Sequence, residues 1–406
     1  MLEYTYKGIV NEKVPKKVTN VKFATLVEVI RKGAFSQCIF LKSINIPPSV
    51  QIIERTAFSW CSNLERVGIP QSVTAIGEMA FGSCTSLKRI NIPPSIKIIE
   101  QGTFLNCRSL TRIDIPSSVE VIGSKAFAYS DSLKTVNIPS SVKTIGSKAF
   151  EQCTSLTNIN IPSSVTSIHT GAFFDCRSLI KISIPSTIST IETSTFSGCI
   201  SLVSIDLPLS VETIGVWAFH RCSSLKSIEI PQSVASIEEN AFNECSSLEI
   251  MDLPQNVNNI GRGAFSDCTL LEKVYLSKRC RWEGNSFPSG VKLIYTWYQV
   301  GSYILLRELI QKKRAVRRSL NEKDDHSYLP LIQEFLGNSN DDIFRNVFGY
   351  LKDYETNHVS LDTENITDVS SIDLFIAMEI MDLFLQRSLC KRSCIHRLVV
   401  TSKSLR

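Results

Sequence analysis

Histidine is scarce in this 406-residue chain: the five present are His169, His220, His326, His358 and His396. None lies in a recognisable nucleophile–base arrangement, which removes the usual signature of hydrolytic or acyl-transfer chemistry. No glycine-rich phosphate loop and no metalloprotease helix motif occurs either. A net charge of +5 is too small for a dedicated nucleic-acid binder. No apolar run is long enough to span a bilayer, since the longest, around 372–385, is broken by Asp373, Glu379 and Asp382. The first residues show no basic segment followed by an apolar core, so the expected location is cytoplasmic, with the nucleus as the alternative.

What the chain has is a period. Proline recurs every 23 residues from Pro47 to Pro254, phenylalanine keeps the same step from Phe35 to Phe265, and leucine from Leu41 to Leu271. One unit runs from Leu156 through Ile159, Ile161, Pro162, Val165, Ile168, Ala172 and Phe173 to Cys176. Ile159 and Ile161 are two apart and therefore share one face of a strand. Pro162 offers no N–H and helps to end that strand. Val165 and Ile168 belong to a second short extended piece, and Ala172–Phe173 is expected in a tight helical turn with the ring inward. A single unit cannot bury these side chains, but stacked units can, with parallel strands ~4.8 Å apart.

The grid extends back to Val18, Val21 and Phe23, giving about 12 parallel strands on one face between Val18 and Leu276. After Ser277 the phase slips, and Trp282, Phe287, Trp297 and Tyr298 are expected to cover the open end. The repeated I-P-x-S-V-x-x-I-x-x-x-A-F-x-x-C-x-S-L unit resembles the BspA-like leucine-rich-repeat family over 18–276. That resemblance implies a non-enzymatic recognition solenoid, and many members are cell-surface adhesins.

Of the thirteen cysteines, ten lie on the grid between Cys38 and Cys268, and Ser130 occupies the remaining slot. A position that accepts either residue reads as a small buried side chain and a free thiol. Near the C-terminus, Cys390, Cys394 and His396 lack a fourth metal ligand and read as an incidental cluster. Gly123, Gly146 and Gly215 recur at the turn after the second strand, where backbone freedom accounts for them. Ser141, Ser164 and Ser233, two residues after the proline, are expected to hydrogen-bond turn backbone.

The organisation expected is therefore α/β: an N-terminal lead-in (1–17), a leucine-rich-repeat solenoid with a C-terminal cap (18–300), and a small α-helical C-terminal region (301–406). Helical spacing is read over 302–320, 328–336, 341–351 and 370–385, with a polar loop over 357–368. The basic cluster from Lys312 to Arg318 reads as a solvated helix face, with nuclear import as the alternative.

Between the buried strand slots, side chains must point outward, and these vary where the core does not. The first half of that face carries Lys42, Arg66, Lys88, Arg89, Arg112 and Lys134, opposed mainly by Glu65. The second half carries Asp206, Glu229, Glu249, Asp252 and Glu272 with Lys181, Lys226 and Lys273. The expected function is a non-catalytic protein–protein interaction scaffold, acting as a monomer without cofactor or metal. Its basic half would dock an acidic segment of a protein partner. The alternatives are nucleic-acid binding through the same strip, for which Tyr275 is the main stacking aromatic, and an adhesin-like role at a cell surface.

Overall fold

The computed structural model describes residues 2–296. Each 23-residue unit is one coil, and equivalent side chains of successive coils form files. In the coil that begins at Leu156, the strand Asn158–Asn160 lies parallel to Lys181–Ser183 of the next coil, with Ile159 opposite Ile182. The alternation is the one expected: the middle residue of each three-residue strand is buried and its neighbours face outward.

Val165 N–H then donates to the Pro162 carbonyl at 3.0 Å, closing a turn that leads into the two-residue strand Ser167–Ile168. These short strands form a second parallel ladder, for example Thr144↔Ser167 and Ile145↔Ile168. The coil thus has two laddered sides rather than the single strand face emphasised by the sequence.

The third side differs from expectation. No helix occurs among the described residues, so this part of the chain is a β-solenoid rather than α/β. Around Phe173, the N–H groups of Ala172, Phe174 and Cys176 close tight turns onto His169, Gly171 and Phe173 at 3.0, 2.9 and 3.2 Å. The alternate N–H groups, those of Gly171, Phe173 and Asp175, donate instead to Thr193, Thr195 and Ser197 of the next coil at 2.9, 3.0 and 2.7 Å. Two residues per coil take left-handed backbone, here Gly171 at φ 63° and Asp175 at φ 59°. An α-helix would direct every N–H back along its own axis, whereas this turn uses half of them to bind its neighbour. The helices expected over 302–385, Trp297, Tyr298 and the Cys390, Cys394 and His396 cluster lie outside the described residues.

The core is a file of rings. From Phe35 to Phe265, eleven fully buried phenylalanines stack with neighbouring centroids 4.9–5.9 Å apart and planes within 15° of parallel. Tyr6 covers Phe35 at one end at 5.0 Å, and its strand Glu3–Tyr6, in the segment read as lead-in, pairs with Asn20–Phe23. At the other end a shortened coil continues the file: Phe287 stacks on Phe265 at 5.4 Å, and Trp282 lies edge-on to Phe287. Arg281–Trp282 and Lys292–Thr296 extend the two ladders.

Polar side chains tie the coils together. All eleven cysteines among the described residues are free and buried. The grid thiols donate across the stack, Cys61 Sγ to the Phe35 carbonyl at 3.0 Å and Cys176 to that of Phe150 at 3.1 Å. Ser130 does the same to Phe104 at 3.4 Å. The slot therefore selects a small donor, which is why Cys and Ser interchange there. The Ser141, Ser164 and Ser233 hydroxyls donate to Val119, Val142 and Val211 of the preceding coil at 2.6, 2.8 and 2.5 Å. They join coils rather than brace their own turns.

The recurrent glycines also have a cause other than the one read from sequence. Gly123, Gly146 and Gly215 do not adopt left-handed backbone; a Cβ on Gly146 would stand 2.7 Å from the Gly123 carbonyl carbon and the Ser124 nitrogen. Close approach of neighbouring backbones requires them, not conformational freedom.

Candidate interaction surface

All six cations singled out from the sequence are exposed on the side formed by the longer strands. They fall into two adjacent files. Lys42, Glu65 and Lys88 occupy one file in successive coils, linked by Glu65 N–H to Lys42 O at 2.8 Å and Lys88 N–H to Glu65 O at 3.3 Å. Lys134 follows two coils later, next to Thr111. Lys88 Nζ donates to Glu65 at 2.9 Å. That hydrogen bond and charge, with smaller contributions from Lys42 and Arg66, hold the Glu65 carboxyl below the usual carboxylate range. Exposed pairs of this kind add little stability, but this one neutralises part of the lysine file.

The second file carries the arginines. Ser43 lies opposite Arg66 and Arg66 opposite Arg89 in parallel register. No ion pair engages Arg66 or Arg89 among the described residues. The backbone ladder is interrupted before the next coil, where Arg112–Asp114 starts a new run opposite Thr135–Asn137. Arg112 is not a bare cation: its Nε and Nη2 donate to Asp114 Oδ1 at 3.0 and 2.8 Å. The period of two places Asp114 on the same face as Arg112, a counter-charge in the file beside the two that hold the cations. A third outward file runs beside the arginines through Asn45, Gly68, Asn91 and Asp114.

Further along the same side the charges reverse. Asp206, Glu229, Glu249 and Glu272 are exposed, and Asp252 is half-buried. Lys181 approaches Asp206 at 3.9 Å. The middle of the lysine file changes to aliphatic, with exposed Ile180 and Val203 in adjacent coils. Charge patterning alone does not single out these two positions.

This stack of 23-residue coils, with phenylalanine, proline and cysteine in fixed slots, has known relatives. The profile described as BspA type Leucine rich repeat region (6 copies) matches residues 14–134, 120–219 and 190–294. The chain belongs to the BspA-type leucine-rich-repeat family. Among solved structures it is similar to a leucine-rich repeat protein from Bacteroides ovatus, at 29% identity and a TM-score of 0.61, covering 72% of this chain and 83% of that one. It is also similar to a leucine rich cell surface protein from Faecalibacterium prausnitzii, at 29% identity and a TM-score of 0.50, covering 72% and 89%. A comparison with curated proteins finds no match. Membership in the BspA-type family accounts for the frame of buried files; it leaves the outward files, where this chain's own charges lie, to be read residue by residue.

Proposed function

We propose that this chain is a non-catalytic interaction protein whose basic half-face docks an acidic segment of a protein partner. The observation that carries this reading is the arginine file: Arg66 and Arg89 lie opposite one another in register, and among the described residues neither is held in an ion pair. Like charges directly opposite across a ladder cost stability, and a partner carboxylate set between them offsets that cost. Lys42, Lys88, Arg112 and Lys134 extend the same field, with Glu65 and Asp114 as internal counter-charges that a stronger acidic ligand displaces.

The test is capture of partners by the full chain, compared with the Arg66→Glu, Arg89→Glu, Arg112→Glu triple variant. Loss of acidic partners from the variant is the expected result; retention of every partner refutes the reading. Salt-dependent binding of RNA or DNA by the unaltered chain, lost in the variant, would assign the strip to nucleic acid instead.

A second reading, an adhesin-like protein at a cell surface, is favoured by the likeness to the Faecalibacterium cell surface protein. Both readings place recognition on the solenoid and chemistry nowhere on it. Localisation of the tagged chain by fractionation separates the surface location from the cytoplasmic one.

A further inference from the structure

The bend that leads from the phenylalanine turn into the longer strand is polar in most coils but apolar near the start of the stack. Its slot two residues after the cysteine holds serine in eight coils, from Ser86 to Ser247, yet holds Phe40 in the coil of Cys38. Ile39 precedes it. Trp60 stands in the file of Gln37 on the next coil, which is joined to this one where Gln37 N–H donates to the Ser59 carbonyl at 2.8 Å. All three face solvent: Ile39 is 42% exposed, Phe40 49% and Trp60 55%. The backbone at Trp60 is left-handed, φ 64°, and the same slot elsewhere takes Asn106, Asp175, Gly198 and Asp267, which suit that conformation better than a bulky side chain does. Exposed apolar groups that the fold does not require mark a contact surface.

Lysines border this group. Pro15 to Val18 continue the files of Cys38 to Leu41: Val18 N–H closes on the Pro15 carbonyl at 2.9 Å as Leu41 closes on Cys38 at 3.1 Å, and the Cys38 thiol reaches the Pro15 carbonyl at 3.9 Å. Lys16 and Lys17 therefore occupy the slots of Ile39 and Phe40 one coil earlier, and Lys42 follows Phe40 by two residues; all three are exposed. Among the described residues none of them is held in an ion pair, and Lys16 Nζ donates to the neutral amide of Gln37. Residues 1–42 hold eight cations and three carboxylates, an excess equal to the +5 of the whole chain.

We infer that this bend is a membrane-docking site, at which Ile39, Phe40 and Trp60 enter the headgroup region of a bilayer while Lys16, Lys17 and Lys42 engage anionic lipid. It is distinct from the arginine file and goes beyond the docking reading above. Tryptophan settles at the headgroup level of a bilayer. Lysine lays its stem along apolar surface and keeps its charge among the headgroups. Protein interfaces are depleted in lysine and enriched in arginine, so an apolar group bordered by lysine alone fits lipid better than protein. Each lysine close to an anionic surface strengthens binding about 5-fold, and the apolar side chains add the burial that holds the chain there.

The experiment is flotation of the full chain with vesicles of phosphatidylcholine, alone or mixed with an equal part of phosphatidylserine, with tryptophan emission recorded. The chain is expected to float with the mixed vesicles only, to be released by high salt, and to show a blue shift as Trp60 leaves water. Lys16→Glu with Lys17→Glu should weaken binding by at least about 25-fold, since each charge lost removes about 5-fold. Phe40→Ser with Trp60→Asn, which place in these slots residues that other coils carry there, should weaken it at least ~10-fold and abolish the blue shift. Trp217→Asn, at an exposed tryptophan beside His220 in a later coil, should change neither.

A chain that floats with neither composition, equal binding to both, or binding that survives either double variant overturns the inference. So does loss of a captured protein partner from Phe40→Ser, Trp60→Asn when the unaltered chain binds no vesicle, a result that gives the bend to a protein.

Discussion

Phe150→Ala removes a ring from the middle of the file. Phe150 has no exposed surface, and its centroid lies 5.4 Å from that of Phe127 and 5.6 Å from that of Phe173. Truncating a buried phenylalanine costs about 3–5 kcal/mol through lost transfer energy and the cavity left behind. Two aromatic pairs, each worth about 0.5–1.5 kcal/mol beyond burial, disappear with it, placing this site at the upper end of that range. In a solenoid each coil contacts only its neighbours, so the whole loss falls on the two interfaces that flank this coil. Urea unfolding followed by far-ultraviolet circular dichroism should therefore separate into two transitions, one for the coils before Phe150 and one for those after. Phe287→Ala is the control: this terminal ring is stacked on one side only, on Phe265, with Trp282 edge-on, and is partly exposed, so about 1–2 kcal/mol and no new transition are expected. A single transition for Phe150→Ala, shifted by less than about 1 kcal/mol, would refute the ring file as the continuous core.

Two further outcomes follow from the polar and backbone contacts between coils. Burial pushes the thiols of Cys107, Cys176 and Cys268 up to about 12, and that of Cys38 to about 11. A raised folded-state value means that the native chain keeps protons the unfolded chain has lost. Stability from this source is complete below about pH 8.5, where the unfolded thiols are protonated, and falls as pH rises towards 11–12. Thermal melts at pH 7, 9 and 10 should show that decline, and a thiol reagent at neutral pH should label the repeat cysteines only after denaturation; rapid labelling of the native chain contradicts the buried donor role. Gly146→Ala places a methyl group 2.7 Å from backbone atoms of the preceding coil and should cost about 1–3 kcal/mol by chemical denaturation, whereas a neutral result means the coils are not as closely apposed as described.

The repeat was legible because each slot has one physical demand. Leu156, Ile159, Ile161 and Phe173 recur at fixed spacing since every coil must present the same apolar shape to its neighbours, and a sequence period records that demand directly. Outward strand positions followed from the spacing of the buried slots, Leu-x-x-Ile-x-Ile, which places all six cations on one exposed face. The turn around Phe173 was not legible: local propensity allows a helical turn, and only the next coil's carbonyls at Thr193, Thr195 and Ser197 decide that alternate N–H groups leave the turn. For the same reason Gly146 reads as a turn residue needing backbone freedom when it is a point of close contact between coils.

The interaction surface divides along the same line. Sequence determined which charges exist and which face they occupy, because these depend on composition and on the spacing of the buried slots. Tertiary structure decided which of them are already engaged, tying Arg112 to Asp114 and Glu65 to Lys88 while leaving Arg66 opposite Arg89. Pairing between side chains depends on distances across coils, and a one-dimensional pattern fixes the neighbours in a file without fixing where the ends of long side chains meet.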